Sequence, residues 1–237
     1  MAVGPMPDAL TSPLALVLLT LLSYQLGLWL RRASRYHPAA QPVVVAIAGT
    51  ALGITLLDVD YPTYADSALL ISFWLGPATV ALAVPLHRQT RRMRGVVAPM
   101  LVAIPLGAAV SIATAYALIL LLGGSETLAV TMAPKAATTP VSIALAEQAG
   151  GLPPVTAIVT IVAGILGAVL GPTVLTLLRV RDRRARGLAM GAASHGIGTS
   201  RALLEDETEG AFSGLSMGLT ALATSVLLPL VLWVLAL

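Results

Sequence analysis

Cysteine is absent from this 237-residue chain, which excludes disulfides, thiol nucleophiles and thiolate metal sites. Charge is scarce: Asp, Glu, Lys and Arg make up 11% of the residues, against about a quarter in a soluble domain. Aromatic residues are 4%. Lysine occurs once, as Lys135. What remains is apolar, with 57% hydrophobic residues and a mean hydropathy of +0.89. Alanine is abundant, which suits close packing of helices through small side chains. These features predict an all-α integral membrane protein.

The positive charge is almost all arginine, gathered in short clusters between apolar runs. That pattern orients a membrane chain and gives no reason to expect nucleic acid. Residues 1–9 read as a short tail without basic residues, and 10–237 as one polytopic membrane domain that retains its first helix. Apolar runs at 10–30, 42–57, 68–86, 96–122, 155–178 and 212–237 suggest about six full transmembrane helices, at roughly 20 residues per crossing. Arginines after residue 30, at 88–94 and at 179–186 mark one side, so the N-terminus is expected outside. An odd number of crossings must then separate Gly124 from Arg179. The stretch 126–148 should therefore enter and leave on one side, as a re-entrant hairpin.

Pro134 and Pro140 lie within that stretch, and two prolines so spaced cannot both lie inside one regular helix. Lys135, Thr138 and Thr139 lie at the break. A cation, two hydroxyls and freed backbone amides together make a cradle for a small anion. An ionisable residue in a membrane interior costs at least about 2.5–3.5 kcal/mol at a helix centre, which favours function over ornament. The plain alternatives are a lysine snorkelling from a hairpin tip and threonines bonding back to their own freed carbonyls.

The stretch 187–204 is the second irregular one, punctuated by Gly191, Gly196 and Gly198 around Ser194, His195, Thr199 and Arg201. His195 is the candidate for proton coupling, since histidine titrates near physiological pH. Whether this stretch crosses or re-enters stays open. Residues 78–89 align weakly with 137–148, a degenerate internal repeat that adds Thr79 to the secondary candidates Ser194 and Arg201. No phosphate-binding loop and no paired metal-ligand spacing is present, and Ser194 and His195 are adjacent, so they do not face each other as nucleophile and base. No enzymatic activity, cofactor or metal is expected.

The runs 134–140, 147–151, 186–191 and 194–202, with Pro77-Ala78-Thr79 and 81–86, resemble the LrgB/CidB membrane protein family from about Pro38 to the C-terminus. Ala136 stands where that family usually has serine, His87 where tyrosine is common, and Gln41-Pro42 where Asn-Pro is frequent. The resemblance implies a bacterial cytoplasmic-membrane protein with an LrgA-type small membrane protein as partner; a homo-oligomer is a further expectation. It implies two functions. One is an antiholin-like or holin-like regulator of murein hydrolase export or activity and of lysis. The other is a small-monocarboxylate carrier, as in the related plastidial glycolate/glycerate translocator. The buried lysine at a broken helix favours the carrier, with Lys135, Thr138, Thr139, His195 and Thr199 binding substrate.

Overall fold

The computed structural model describes residues 9–34, 42–74, 77 and 95–235. The described residues form nine helices and no strand, because a chain in lipid must satisfy its backbone groups within each segment. They fall into two compact units, Met1–Ala81 and Leu82–Leu237.

In the first unit, α1 (Pro13–Ala33) packs on α2 (Pro42–Leu56) and α3 (Tyr61–Ser72). Ser12 caps α1 by accepting the Ala15 amide, and Pro13 occupies the first turn, where its missing N–H costs nothing. The three helices enclose a cavity of about 350 Å³ bordered by Thr20, Tyr24, Thr50, Tyr61 and Tyr64.

The second unit holds α4 (Val97–Leu121), α5 (Glu126–Met132), α6 (Thr139–Gln148), α7 (Pro153–Leu177), α8 (Arg183–Glu205) and α9 (Glu207–Leu235). Among the described residues four helices, α1, α4, α7 and α9, are long and apolar enough to cross a membrane. Six were expected. The run at 42–57 yields α2, whose 15 residues rise only about 22 Å at 1.5 Å per residue. The run at 68–86 ends α3 at Ser72, and the rest of it, with Thr79 and the first copy of the weak repeat, lies outside the described residues.

α5 and α6 form a helical hairpin over the stretch expected to re-enter. With 7 and 10 residues they rise about 10 and 15 Å, too little to cross a bilayer core of about 30 Å. Glu126 at the start and Gln148 at the end border the same cavity, so both feet stand at one end. The stretch 187–204, compatible in sequence with a crossing or a return, folds back on itself. α8 is two helical legs joined at His195, whose backbone (φ 40, ψ −133) is not helical. Arg183, at the foot of the first leg, reaches Glu209 at the start of α9. Leu203, near the foot of the second, packs on Gly210. Both feet thus lie beside the first turn of α9, and the His195 tip points inward.

The second unit therefore contains one motif twice: a hairpin followed by a long apolar helix, 126–148 with α7 and 183–205 with α9. α7 runs from the foot of the first hairpin to that of the second, and α9 runs back the other way. The two hairpins enter from opposite ends.

Candidate functional site

Four sequence features place the Lys135 tip: the α5 cap, two prolines and one serine. Ser125 caps α5 by accepting the Leu128 amide at 3.2 Å. Pro134 and Pro140 then prevent α5 from continuing into α6. The carbonyls freed by that break are collected by Ser142, whose Oγ donates to Pro134 O at 2.7 Å and lies 3.2 Å from Ala137 O. Thr156 on α7 donates to Thr131 O at 3.0 Å, and Thr131 Oγ1 accepts the Leu152 amide at 2.9 Å. Thr138 occupies the N-cap position of α6 without a side-chain cap bond. The carbonyl side of the break is covered and the amide side is not, so the tip favours negative charge.

Lys135 is half-buried at this tip, and its Nζ donates to Ser111 Oγ on α4 at 3.0 Å. Among the described residues it has no carboxylate partner, so its other two donors remain for a ligand. Ser111 lies on α4 between two cavities. One, about 500 Å³, is bordered by Tyr116, Glu126, Gln148 and Trp233. The other, about 510 Å³, is bordered by Val96, Ile104, Asp182, Arg184 and Ala192. Ile112, Ala133 and Leu228 pack into an apolar plug at the level of this contact.

The His195 tip is held by other helices. His195 Nε2 donates to the Thr160 carbonyl of α7 at 2.9 Å, which leaves Nδ1 as the free position. The ring sits against Gly164, where a Cβ would come within 2.5 Å of Cε1 and 2.6 Å of Nε2. Thr199 Oγ1 donates to His195 O at 2.9 Å and therefore accepts from Ser213 Oγ of α9 at 3.0 Å. Ser194 is fully buried against Gly167, and among the described residues its hydroxyl has no partner.

The expected site residues thus separate into two groups. His195, Thr199 and Ser194 share one tip; Lys135, Thr138 and Thr139 share the other. Arg201 pairs with Glu205, one turn on along its own leg.

Several residues with clear roles carry no distinguishing signal in the sequence: Ser111, Ser142, Thr160 and Glu209. Glu209 is fully buried and takes Arg183 at 2.9 Å and Arg186 at 3.4 Å. Arg186 also bonds the Val180 carbonyl at 3.2 Å and approaches Pro172 O at 3.4 Å. The foot of the second hairpin is thereby tied to both long helices. Asp182 caps α8 by accepting the Arg184 amide at 2.8 Å. Hydrogen bonds from the Arg184 side chain, then from the backbone, lower its pKa to about 2. Asp206 is lowered as well, chiefly by the Glu209 and Thr208 amides at the start of α9. Among the described residues no His/Asp/Glu group is arranged to hold a metal.

The runs that resemble a known family, 134–140 and 194–202, are the tips of these two opposed hairpins. The LrgB-like family model matches residues 20–234. The chain belongs to the LrgB-like family. It is 32% identical to the uncharacterised protein YxaC of Bacillus subtilis (strain 168), over 92% of this chain and 94% of that one. It is 30% identical to the antiholin-like protein LrgB of Bacillus mycoides (strain KBAB4), over 90% and 93%. The antiholin-like protein LrgB of Bacillus cereus (strain B4264) is 29% identical over the same shares. No solved structure matches the chain. LrgB-family membership and its apolar helices identify it as a membrane protein.

Proposed function

We propose that this LrgB-family protein is an antiholin-like regulator of murein hydrolase activity and lysis, acting in the bacterial cytoplasmic membrane with an LrgA-type small membrane protein. The supporting observation is the antiholin-like role carried in the names of relatives matched over about nine-tenths of both chains. Its test is expression in bacterial cells with and without an LrgA-type partner. Altered hydrolase activity or lysis timing is the expected result, and no change under either condition would overturn it.

A second reading, a carrier for a small monocarboxylate, is favoured by one specific observation. A lone lysine held at a hairpin tip by a neutral serine, with uncapped amides beside it, suits a carboxylate that binds and leaves. In this reading Lys135 neutralises the carboxylate, Thr138 and Thr139 donate to it, and His195, near Thr199, carries the coupling proton on Nδ1. Altered metabolite flux would then underlie the effect on lysis. Proteoliposomes containing the protein should take up glycolate, glycerate, pyruvate or lactate saturably. Lys135→Ala should lose at least tenfold in kcat/KM while still inserting and folding; Lys135→Arg should be impaired too, because a planar fork does not replace a compact ammonium. Near-normal uptake by well-folded Lys135→Ala would overturn the counter-charge role.

A further inference from the structure

One buried face of α9 runs through Ser213, Met217, Thr220, Thr224 and Leu228. Its beginning belongs to the His195 hairpin: Ser213 bonds Thr199, and Met217 approaches Gly196. Its end belongs to the Lys135 hairpin, where Leu228 packs on Ala133. Thr220 and Thr224 occupy the interval between the two tips. Each is 1% exposed, and among the described residues neither hydroxyl has a hydrogen-bond partner.

The same arrangement recurs on α7. Thr156 bonds Thr131 of the first hairpin, and Gly164 meets the His195 ring of the second. Thr160 lies between them, 0% exposed, with its Oγ1 also unpartnered among the described residues. Several other threonine hydroxyls in the unit are used. Thr114 and Thr176 bond back to the carbonyl one turn earlier, at 2.6 and 2.8 Å. Buried hydroxyls left unpaired in a membrane interior are costly, and valine would fit the same space without that cost. Three of them in the interval between two opposed hairpin tips point to a polar occupant.

We infer that Thr160, Thr220 and Thr224 line a binding site between the hairpin tips for a small carboxylate, whose oxygens accept from their hydroxyls while Lys135 supplies the charge. The inference rests on the carrier reading and adds the residues that would set affinity. Hydroxyls suit this position because each donates to a carboxylate and accepts from a substrate hydroxyl or bound water without adding charge. Removing them would leave Lys135 to hold the carboxylate from one side.

The test uses Thr160→Val, Thr220→Val and Thr224→Val, which keep shape and remove only the hydroxyl, with Thr114→Val as a control on the exposed face of α4. Thermal stability in detergent and uptake into proteoliposomes are measured with glycolate, lactate and pyruvate. Without carboxylate the three variants should melt at or above the wild-type temperature, since an unpaired hydroxyl is removed. With carboxylate they should lose the stabilisation seen in the wild type, and KM for uptake should rise at least tenfold, while Thr114→Val behaves as wild type. Wild-type KM and wild-type stabilisation in all three variants would overturn the inference while leaving the carrier reading intact. Absence of any carboxylate response in the wild-type protein itself would overturn both.

Discussion

The hairpin that carries Lys135 breaks at two prolines, whereas the hairpin that carries His195 breaks without any. In the first, the freed carbonyls are collected by a serine of the same hairpin, Ser142. In the second, the tip is held by groups from other helices, the Thr160 carbonyl of α7 and Ser213 of α9 acting through Thr199. The feet differ as well. At the His195 hairpin Glu209 gathers two arginines, while among the described residues no salt bridge anchors the Lys135 hairpin. A locally completed turn can stay rigid by itself; one completed by its neighbours depends on where those neighbours stand. The carbonyls of the Lys135 tip are therefore completed within its hairpin, which Ser111 of α4 and Thr156 of α7 hold from outside, whereas the His195 tip itself is completed through α7 and α9.

Breaking the foot of the second hairpin should have the largest effect. Glu209→Ala leaves Arg186 without its buried anion and should cost about 3 kcal/mol, read as a fall in melting temperature in detergent. Arg183, being half-exposed, finds water instead, so Arg183→Gln should cost well under half as much. Equal losses for the two would show that the clamp works through exposed charge.

Ser142→Ala tests local completion of the first hairpin. It removes the hydroxyl from the Ala137 carbonyl and from the Pro134 carbonyl, which keeps only the Ala137 amide, and should cost about 1–2 kcal/mol. Increased hydrogen exchange should be confined to the tip around residues 134–140, with amides near His195 unchanged. Exchange spreading to the second tip would mean that the two hairpins are not independent.

The smallest effect concerns the backbone of the second tip. At φ 40, ψ −133 a glycine is at ease and a residue with a Cβ is strained. His195→Ala and His195→Gly both lose the ring. The glycine variant should nevertheless be more stable, by about 1 kcal/mol, the reverse of the order expected inside a helix. An alanine variant that melts higher would show that the turn relaxes into regular helix once the ring is gone.

Much of the hairpin arrangement is legible in the residues themselves. Two prolines around a single lysine announce a broken membrane segment, because an imide nitrogen cannot donate in either lipid or water. If the arginine clusters all lie on one side, 126–148 is expected to re-enter, since basic loops are retained on the cytoplasmic face. The glycines around His195 suggest where the second break falls, though they do not tell a crossing from a return. Thr138 and Thr139 could in principle serve either a ligand or the freed carbonyls of their own hairpin; Ser142 takes those carbonyls.

Sequence alone determined that this is an all-helical membrane chain of the LrgB-like family type, broken near Lys135 and again near His195. The helical membrane character follows from composition and charge and the breaks from proline and glycine, each acting over a few residues, while the family likeness rests on the runs 134–140 and 194–202. Tertiary structure alone decided that 183–205 returns to its own end, that Ser111 receives Lys135, that Glu209 collects Arg183 and Arg186, and that Thr160, Thr220 and Thr224 find no partner among the described residues. In an alanine-rich helix every serine and threonine looks alike, because each can bond back to the carbonyl one turn earlier. Which of them do so, and which face the interval between two hairpin tips, depends on helices brought together from distant parts of the chain.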